Sequence, residues 1–270
     1  MTCAALRSNH PAQRAAQGGF TMVELAVALV VAGLMSWAAF SGYETVTAQQ
    51  QIERGRAEAQ QLQSIVRAFA LRHGRLPCPD SSVAGTGYEA LTAGVCTTGT
   101  QVGWFPYVSV GLELPVPLLR ARYSVFRDPN VVDTADADLA VVKERTGDPV
   151  PDPSNPNASA SSNYRDTTDL IAALNTASRK TAATARTYLT GDGGPAGAAD
   201  CAGNLVMVAA YWVIVPLDDK DNDGSRFDAP HVPVSTCAAS PSAPLRFGSD
   251  DVVVAESPAQ LAGWLRKSLP

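Results

Sequence analysis

The chain has no run of basic residues, only three histidines and no cysteine pair at C-x-x-C spacing. Each lack excludes a class of function. Without clustered lysine and arginine, and at a formal net charge of −5, no cationic face is available to neutralise a phosphate backbone, so no nucleic-acid partner is expected. Without C-x-x-C pairs, tetrahedral zinc has no ligand framework. Neither G-x-S-x-G nor H-E-x-x-H occurs, and His10, His73 and His231 have no triad partner at recognisable spacing, so no enzyme is expected. Gly85-x-Gly87-x-x-Ala90 has dinucleotide-loop spacing but neither follows a clear strand nor opens a helix. Acid is missing from the first nineteen residues, whose charges are Arg7 and Arg14, and proline is missing from Phe20 through Ser41. Charged residues make up only 17% of the 270, against 46% hydrophobic, a composition that folds rather than stays disordered.

Phe20 to Phe40 is a predominantly apolar run of twenty-one residues with one charge, Glu24. As a helix rising about 1.5 Å per residue, this stretch spans roughly 31 Å, the thickness of a bilayer core. Arg7 and Arg14 precede it, while Glu44 and Glu53 follow it, which places the N-terminus in the cytoplasm and the bulk of the chain outside. A cleaved secretory signal fits badly, because no small-residue cleavage site follows the run and helix-compatible sequence continues beyond it. A plain signal anchor leaves Glu24 unexplained, since a carboxylate in an apolar segment is costly.

Gly18-Gly19-Phe20-Thr21-Met22-Val23-Glu24-Leu25 resembles the prepilin processing site of type IV pilins and type II secretion pseudopilins. The resemblance implies that a prepilin peptidase cuts between Gly19 and Phe20 on the cytoplasmic face and methylates the new amine of Phe20. Glu24 then becomes the fifth mature residue, where the family keeps a glutamate. The physics is coherent. A cationic terminal amine and a carboxylate are each expensive in an apolar setting, and pairing across subunits offsets both and sets axial register. Many pilins carry a proline near the outer end of this stretch. Here Gly33 and Gly42 are the only helix weakeners.

Beyond the apolar run, Leu62, Ile65, Val66 and Phe69 recur at helical spacing, and Gly74 followed by Pro77 and Pro79 supplies a stop. One helix from Phe20 to His73 is therefore expected, a transmembrane half followed by an amphipathic half. Gly74 to Asp80, with Cys78 in a proline-rich loop, is similar to a group of large pilin-like proteins, as are Asp223 to Asp228 and Asp250 to Val254. Ala121 to Phe126 reads as a strand, Gly147 to Asn163 as an exposed loop, and Asp166 or Thr167 as the cap of a helix reaching Leu189. Thr190 to Ala199 reads as a loop, Asn204 to Leu217 as one buried central strand and Val252 to Ala255 as another. Ser257, Pro258 and Gln260 open a final helix with a capping box. The expected fold is α+β, a long N-terminal helix packed on a mainly antiparallel-sheet head. It divides into a leader (residues 1–19), a transmembrane helix (20–42) and a single head (43–270).

Two local chemistries stand out in the head. Asp219, Asp221, Asp223 and Gly224 give D-x-D-x-D-G, the first half of a calcium loop, with the Ser225 carbonyl and Asp228 available to complete the shell. Pro230 stands where an EF-hand keeps its closing glutamate, and a solvated turn between strands is the alternative. Cys78, Cys96, Cys201 and Cys237 form an even set once Cys3 leaves with the leader, which fits two disulfides in an oxidising compartment; unpaired core thiols are the alternative. Four cysteines allow three connectivities. The sequence-nearest one, Cys78–Cys96 with Cys201–Cys237, is expected. The functional expectation is a pilin-like, minor subunit of a type IV pilus or type II secretion pseudopilus. It would sit once through the bacterial inner membrane, with its head periplasmic, or extracellular after assembly. Its partners would be the peptidase, other pilin or pseudopilin subunits and the membrane. An anchored adhesion or ligand-binding head delivered by the same signal is the alternative.

Overall fold

The first helix, α1, runs from Met22 to His73, 52 residues without a break. It ends where the sequence predicts. Gly74 takes φ +59°, the left-handed conformation of a helix C-terminal stop, and its N–H donates to the Ala70 carbonyl at 3.0 Å. The computed structural model describes residues 21–143, 166–191, 201, 203–220, 222–242 and 248–269. Gly19, Phe20, Asp221, the expected loop from Gly147 to Asn163 and most of that from Thr190 to Ala199 lie outside the described residues. The chain divides into two compact units, one ending at Gln49 and one starting at Gln50.

In the second unit, the helix presents Gly55, Ala59, Leu62, Val66, Phe69 and Ala70 as one buried stripe. The spacing of four and three residues puts them on a single face. They pack on a four-stranded antiparallel sheet of order β3-β4-β7-β9, made of Val102–Trp104, Arg122–Val125, Tyr211–Val215 and Val252–Glu256. Burying each large apolar side chain of the stripe contributes about 1.5–3 kcal/mol. Gly55 sets the approach. A Cβ there would lie 2.7 Å from a Leu217 methyl and 3.1 Å from a Val252 methyl.

The central strand β7 is buried at every position, which is why Tyr-Trp-Val-Ile-Val reads as a continuous apolar run. Tyr211, Val213 and Val215 join the helix-side core, while Trp212 and Ile214 point into a second cluster with Leu189, Ala209, Phe227 and Ala238. That second layer includes a small sheet of order β6-β5-β8, from Leu205–Val208, Tyr188–Thr190 and Cys237–Ala239. Only its β5–β8 pairing is parallel. A hairpin of β1 (Leu91–Thr92) and β2 (Val95–Cys96) completes the strands. Helices α2 (Thr167–Ala177) and α3 (Pro258–Ser268) pack on each other and contribute Leu170, Leu174, Leu261 and Leu265 to the larger core. The observed class is the expected α+β head. The closing helix carries the predicted Ser257–Gln260 capping box with Pro258 in its first turn.

Two elements differ from the sequence reading. Helix α2 ends at Ala177 rather than Leu189. Residues 178–187 are polar and threonine-rich, and the chain is drawn off the helix axis by Lys180 and Arg186, both paired to Asp128 at 2.9 and 3.2 Å. Leu189 lies instead in β5, and so does Thr190, which the sequence assigns to a loop. The stretch from Asn204 to Leu217 is two strands in different sheets. The switch is made at Ala209 and Ala210, both wholly buried. The Ala209 N–H donates to the Thr187 carbonyl on the small-sheet side, and the Ala210 N–H donates to the Glu256 carbonyl of β9.

One ion pair pins helix to sheet. Arg67 on α1 donates from Nε to both Glu256 carboxylate oxygens at 3.1 Å, its guanidinium lies 5.4 Å from the Trp264 ring, and the Tyr211 hydroxyl donates to the same carboxylate. Burial, helped by the neighbouring carboxylate, pushes the Tyr211 hydroxyl's pKa well up, so it stays a donor. Glu256→Ala should lower the unfolding free energy by about 3 kcal/mol, because it orphans a half-buried cation and a buried hydroxyl together. Glu53→Ala, which breaks only the exposed Arg56 pair, should cost nothing measurable. Denaturant titration checks both, and equal losses would contradict a special role for the Arg67 contact.

Candidate functional site

The N-terminal end of α1 is built by a reciprocal cap. Thr21 precedes the helix, and its N–H and hydroxyl both donate to Glu24 Oε2, at 2.9 and 3.0 Å. The Glu24 N–H donates back to the Thr21 hydroxyl oxygen at 3.3 Å. The spacing Thr-x-x-Glu is the capping-box pattern, and it satisfies two of the helix's orphan amides. Downstream, the large apolar side chains from Met22 to Tyr43 lie exposed, Met22 at 90% and Trp37 at 73%. Gly33 and Gly42 have no neighbouring atom within 4 Å of an added Cβ. The helix is long and apolar enough to cross a membrane, with a mean hydropathy of 2.0 over its most apolar window. Glu24 is thus the lone carboxylate of an otherwise lipid-compatible surface.

The cysteines pair as expected. Cys78–Cys96 closes the loop after α1 onto the β1–β2 hairpin, and Cys201–Cys237 ties the approach to β6 to strand β8. A 36-residue separation such as the second one restricts the unfolded chain by about 3–4 kcal/mol in the chain-entropy picture. Around the first, Arg75 pairs with Glu89 at 2.6 Å, and the same carboxylate takes the Cys78 N–H.

The acidic segment is used locally. Asp219 accepts from the N–H groups of Asp223 and Gly224 at 3.2 and 3.0 Å, Asp223 accepts from the Ser225 N–H at 2.7 Å, and the Ser225 hydroxyl accepts from the Phe227 N–H. Asp228 is wholly buried and takes the N–H groups of Lys220 and Asp250, each at 2.9 Å. The structure brings it together with Asp250 and Asp251, whose carboxylate oxygens lie within 4.8 Å of one another and of Asp228. Asp251 accepts from the Asp228 N–H and from His231 Nδ1 at 2.8 Å, and His231 Nε2 accepts from the Ala239 N–H. Both nitrogens of that ring are therefore engaged. Asp250 and Asp251 entered the sequence reading only through the resemblance at Asp250 to Val254 and as residues ahead of a strand, not as ligand candidates. The signal for Thr21 was present in the sequence as the capping-box spacing to Glu24.

The family model for the prokaryotic N-terminal methylation motif matches residues 14–40. That motif is the prepilin-type signal of type IV pilins and pseudopilins. No curated protein and no solved structure matches the chain.

Burial pushes the Asp250 carboxyl up to about 6, with Lys220 opposing and Asp228 reinforcing the shift. Its folded value lies above its unfolded one. The folded head therefore holds an extra proton in the interval between the two, and stability falls as pH rises through it toward 6. Asp250→Asn removes that penalty while keeping an acceptor for the Asp218 N–H. The variant should melt higher than wild type at neutral pH, with the gap closing near pH 4. A lower melting temperature at neutral pH would mean that the Lys220 pair, at 3.4 Å, outweighs the cost of burial.

Proposed function

We propose that the chain is a pilin-like subunit, minor in copy number, of a type IV pilus or a type II secretion pseudopilus, and that it assembles through the first half of α1. The observation that carries this reading is a coincidence of three features in one segment. The methylation motif covers residues 14–40, a helix long and apolar enough to cross a membrane begins at Met22, and the single carboxylate of the apolar run from Phe20 to Phe40 is Glu24. A one-pass inner-membrane anchor alone would not need the glutamate. A filament of parallel helices would, because each terminal amine created by cleavage needs a carboxylate from a neighbour. The minor role is supported by the size of the head. It has a second, three-stranded sheet and two disulfide-closed segments in addition to the long helix and the four-stranded sheet. The prepilin peptidase and other pilin or pseudopilin subunits are the proposed partners.

Calcium at the acidic segment belongs to the same proposal, with Asp219 and Asp223 as outer carboxylates. Calorimetry of the full chain with calcium should give a binding heat that Asp219→Ala with Asp223→Ala abolishes, and an unchanged titration in the double variant would remove the site. Assembly itself is tested by Glu24→Ala in cells. The variant should still insert and lose its leader, yet be recovered with other subunits at about a tenth of the wild-type level, the scale of one lost charge-assisted contact. Recovery equal to wild type would contradict the assembly role.

A further inference from the structure

Three carboxylates meet where the acidic segment reaches strand β9. Asp228, Asp250 and Asp251 each place an oxygen within 4.8 Å of the other two. They are not surface acids. Asp228 is wholly buried, and the Asp251 side chain has no exposed area. Buried like charges at this spacing repel, so their convergence calls for a cation. The described residues supply a partial one. Lys220 Nζ lies 3.4 Å from Asp250 and 3.8 Å from Asp218, on a side chain 38% exposed. His231 supplies none. Its Nε2 accepts from the Ala239 N–H, so the ring proton is on Nδ1, and the imidazole beside Asp251 at 2.8 Å is neutral.

A second observation is independent of the clustering. Asp251 Oδ2 takes two hydrogen bonds, from the Asp228 N–H at 3.0 Å and from His231. Asp251 Oδ1 takes none from any described residue, although the atom is buried. A buried carboxylate oxygen without a donor is costly, and native proteins rarely keep one without a reason. We propose that Asp228, Asp250 and Asp251 together hold a calcium ion, with Asp251 Oδ1 among its ligand atoms. The site is separate from the loop carboxylates Asp219 and Asp223, and it does not rest on the pilin reading.

The donor set and its size select the ion. Oxygen ligands alone favour calcium or magnesium over zinc. Two oxygens on one calcium stand up to about 4.6–5.2 Å apart, twice the metal–oxygen distance, against about 4.0–4.2 Å on magnesium. The 4.8 Å that bounds the triad falls within the first range. Magnesium also retains several waters, and Asp228 is closed to solvent. The carboxylates are held from behind before any ion arrives. Asp228 accepts from the Lys220 and Asp250 N–H groups at 2.9 Å each, and Asp250 accepts from the Asp218 N–H at 3.2 Å. Lys220, already within reach of Asp218, can give up Asp250 to the incoming ion. Because Asp228 and the Asp250–Asp251 pair come from separate segments, the ion ties the acidic segment to β9, an outer strand of the main sheet.

The test uses the full chain in detergent, carrying Asp219→Ala with Asp223→Ala so that the loop contributes no calcium. This protein should melt about 3–6 °C higher with calcium at about ten times the dissociation constant than with chelator. Adding Asp251→Asn keeps the shape and an acceptor for the Asp228 N–H, but replaces one carboxylate oxygen with an amide nitrogen. It should abolish the rise. Calorimetry at a temperature where both proteins are folded gives the same answer whatever the substitution does to stability, with heat from calcium in the first and none in the second. A response that survives Asp251→Asn would overturn the inference. So would the absence of any response in the Asp219→Ala, Asp223→Ala protein. If wild type responds and that protein does not, the calcium belongs to the loop, so the loop reading stands while the triad falls.

Discussion

The head has no complete core without the second half of α1. Ala59, Leu62, Val66 and Ala70 form one wall of the larger cluster, and among the described residues no other helix of that length covers the strands opposite them, with Tyr123, Val125, Tyr211, Val213 and Val252. The same helix carries the apolar segment from Met22 to Tyr43, whose side chains lie exposed. One element therefore answers to two solvents. From Met22 to Tyr43 every face is apolar but for Glu24, Ser36 and Ser41, as a membrane-length segment requires; in its second half one stripe is apolar and the rest is mostly glutamine, glutamate and arginine, as a half-buried helix in water requires. Gly55 lets the helix sit close against Leu217 and Val252, and the Arg67–Glu256–Tyr211 contact fixes its rotation. An apolar stripe alone tolerates sliding; a half-buried, directional ion pair does not.

Much of this was legible in the chain, for identifiable reasons. The helix and its end follow from periodicity and from Gly74, because both signals are local and the left-handed stop at φ +59° is a glycine conformation. The closing helix follows from Ser257, Pro258 and Gln260, again within one turn. The disulfides follow because each cysteine pairs with the sequence-nearest partner. The α+β class, consistent with a pilin-like fold, follows from one long helix ahead of short apolar runs.

What escaped the sequence is non-local. Ala209 and Ala210 look like the middle of one strand, since alanine carries no turn signal. Only their hydrogen bonds to Thr187 and Glu256, segments far away in the chain, divide it between two sheets. The helix expected to reach Leu189 stops early because Asp128 draws Lys180 and Arg186 away from it, and no pattern within the helix announces that. The acidic site shows the same limit. Alternate aspartates from Asp219 to Asp223 form a visible motif, yet among the described residues the carboxylates that converge are Asp228, Asp250 and Asp251, joined across 22 residues of chain by backbone donors. Pairings set by tertiary structure leave no periodic trace.

Under the proposed function, one helix is released from its leader at a defined bond and then serves as anchor, assembly rod and core wall. The N-terminus of the protein as it stands in its native membrane tests this most directly, by intact mass and fragmentation. A chain beginning at Phe20 with one methyl group on its amine is the expected result. A chain still beginning at Met1 in cells that hold an active prepilin peptidase, or one cut beyond the apolar segment, would contradict it.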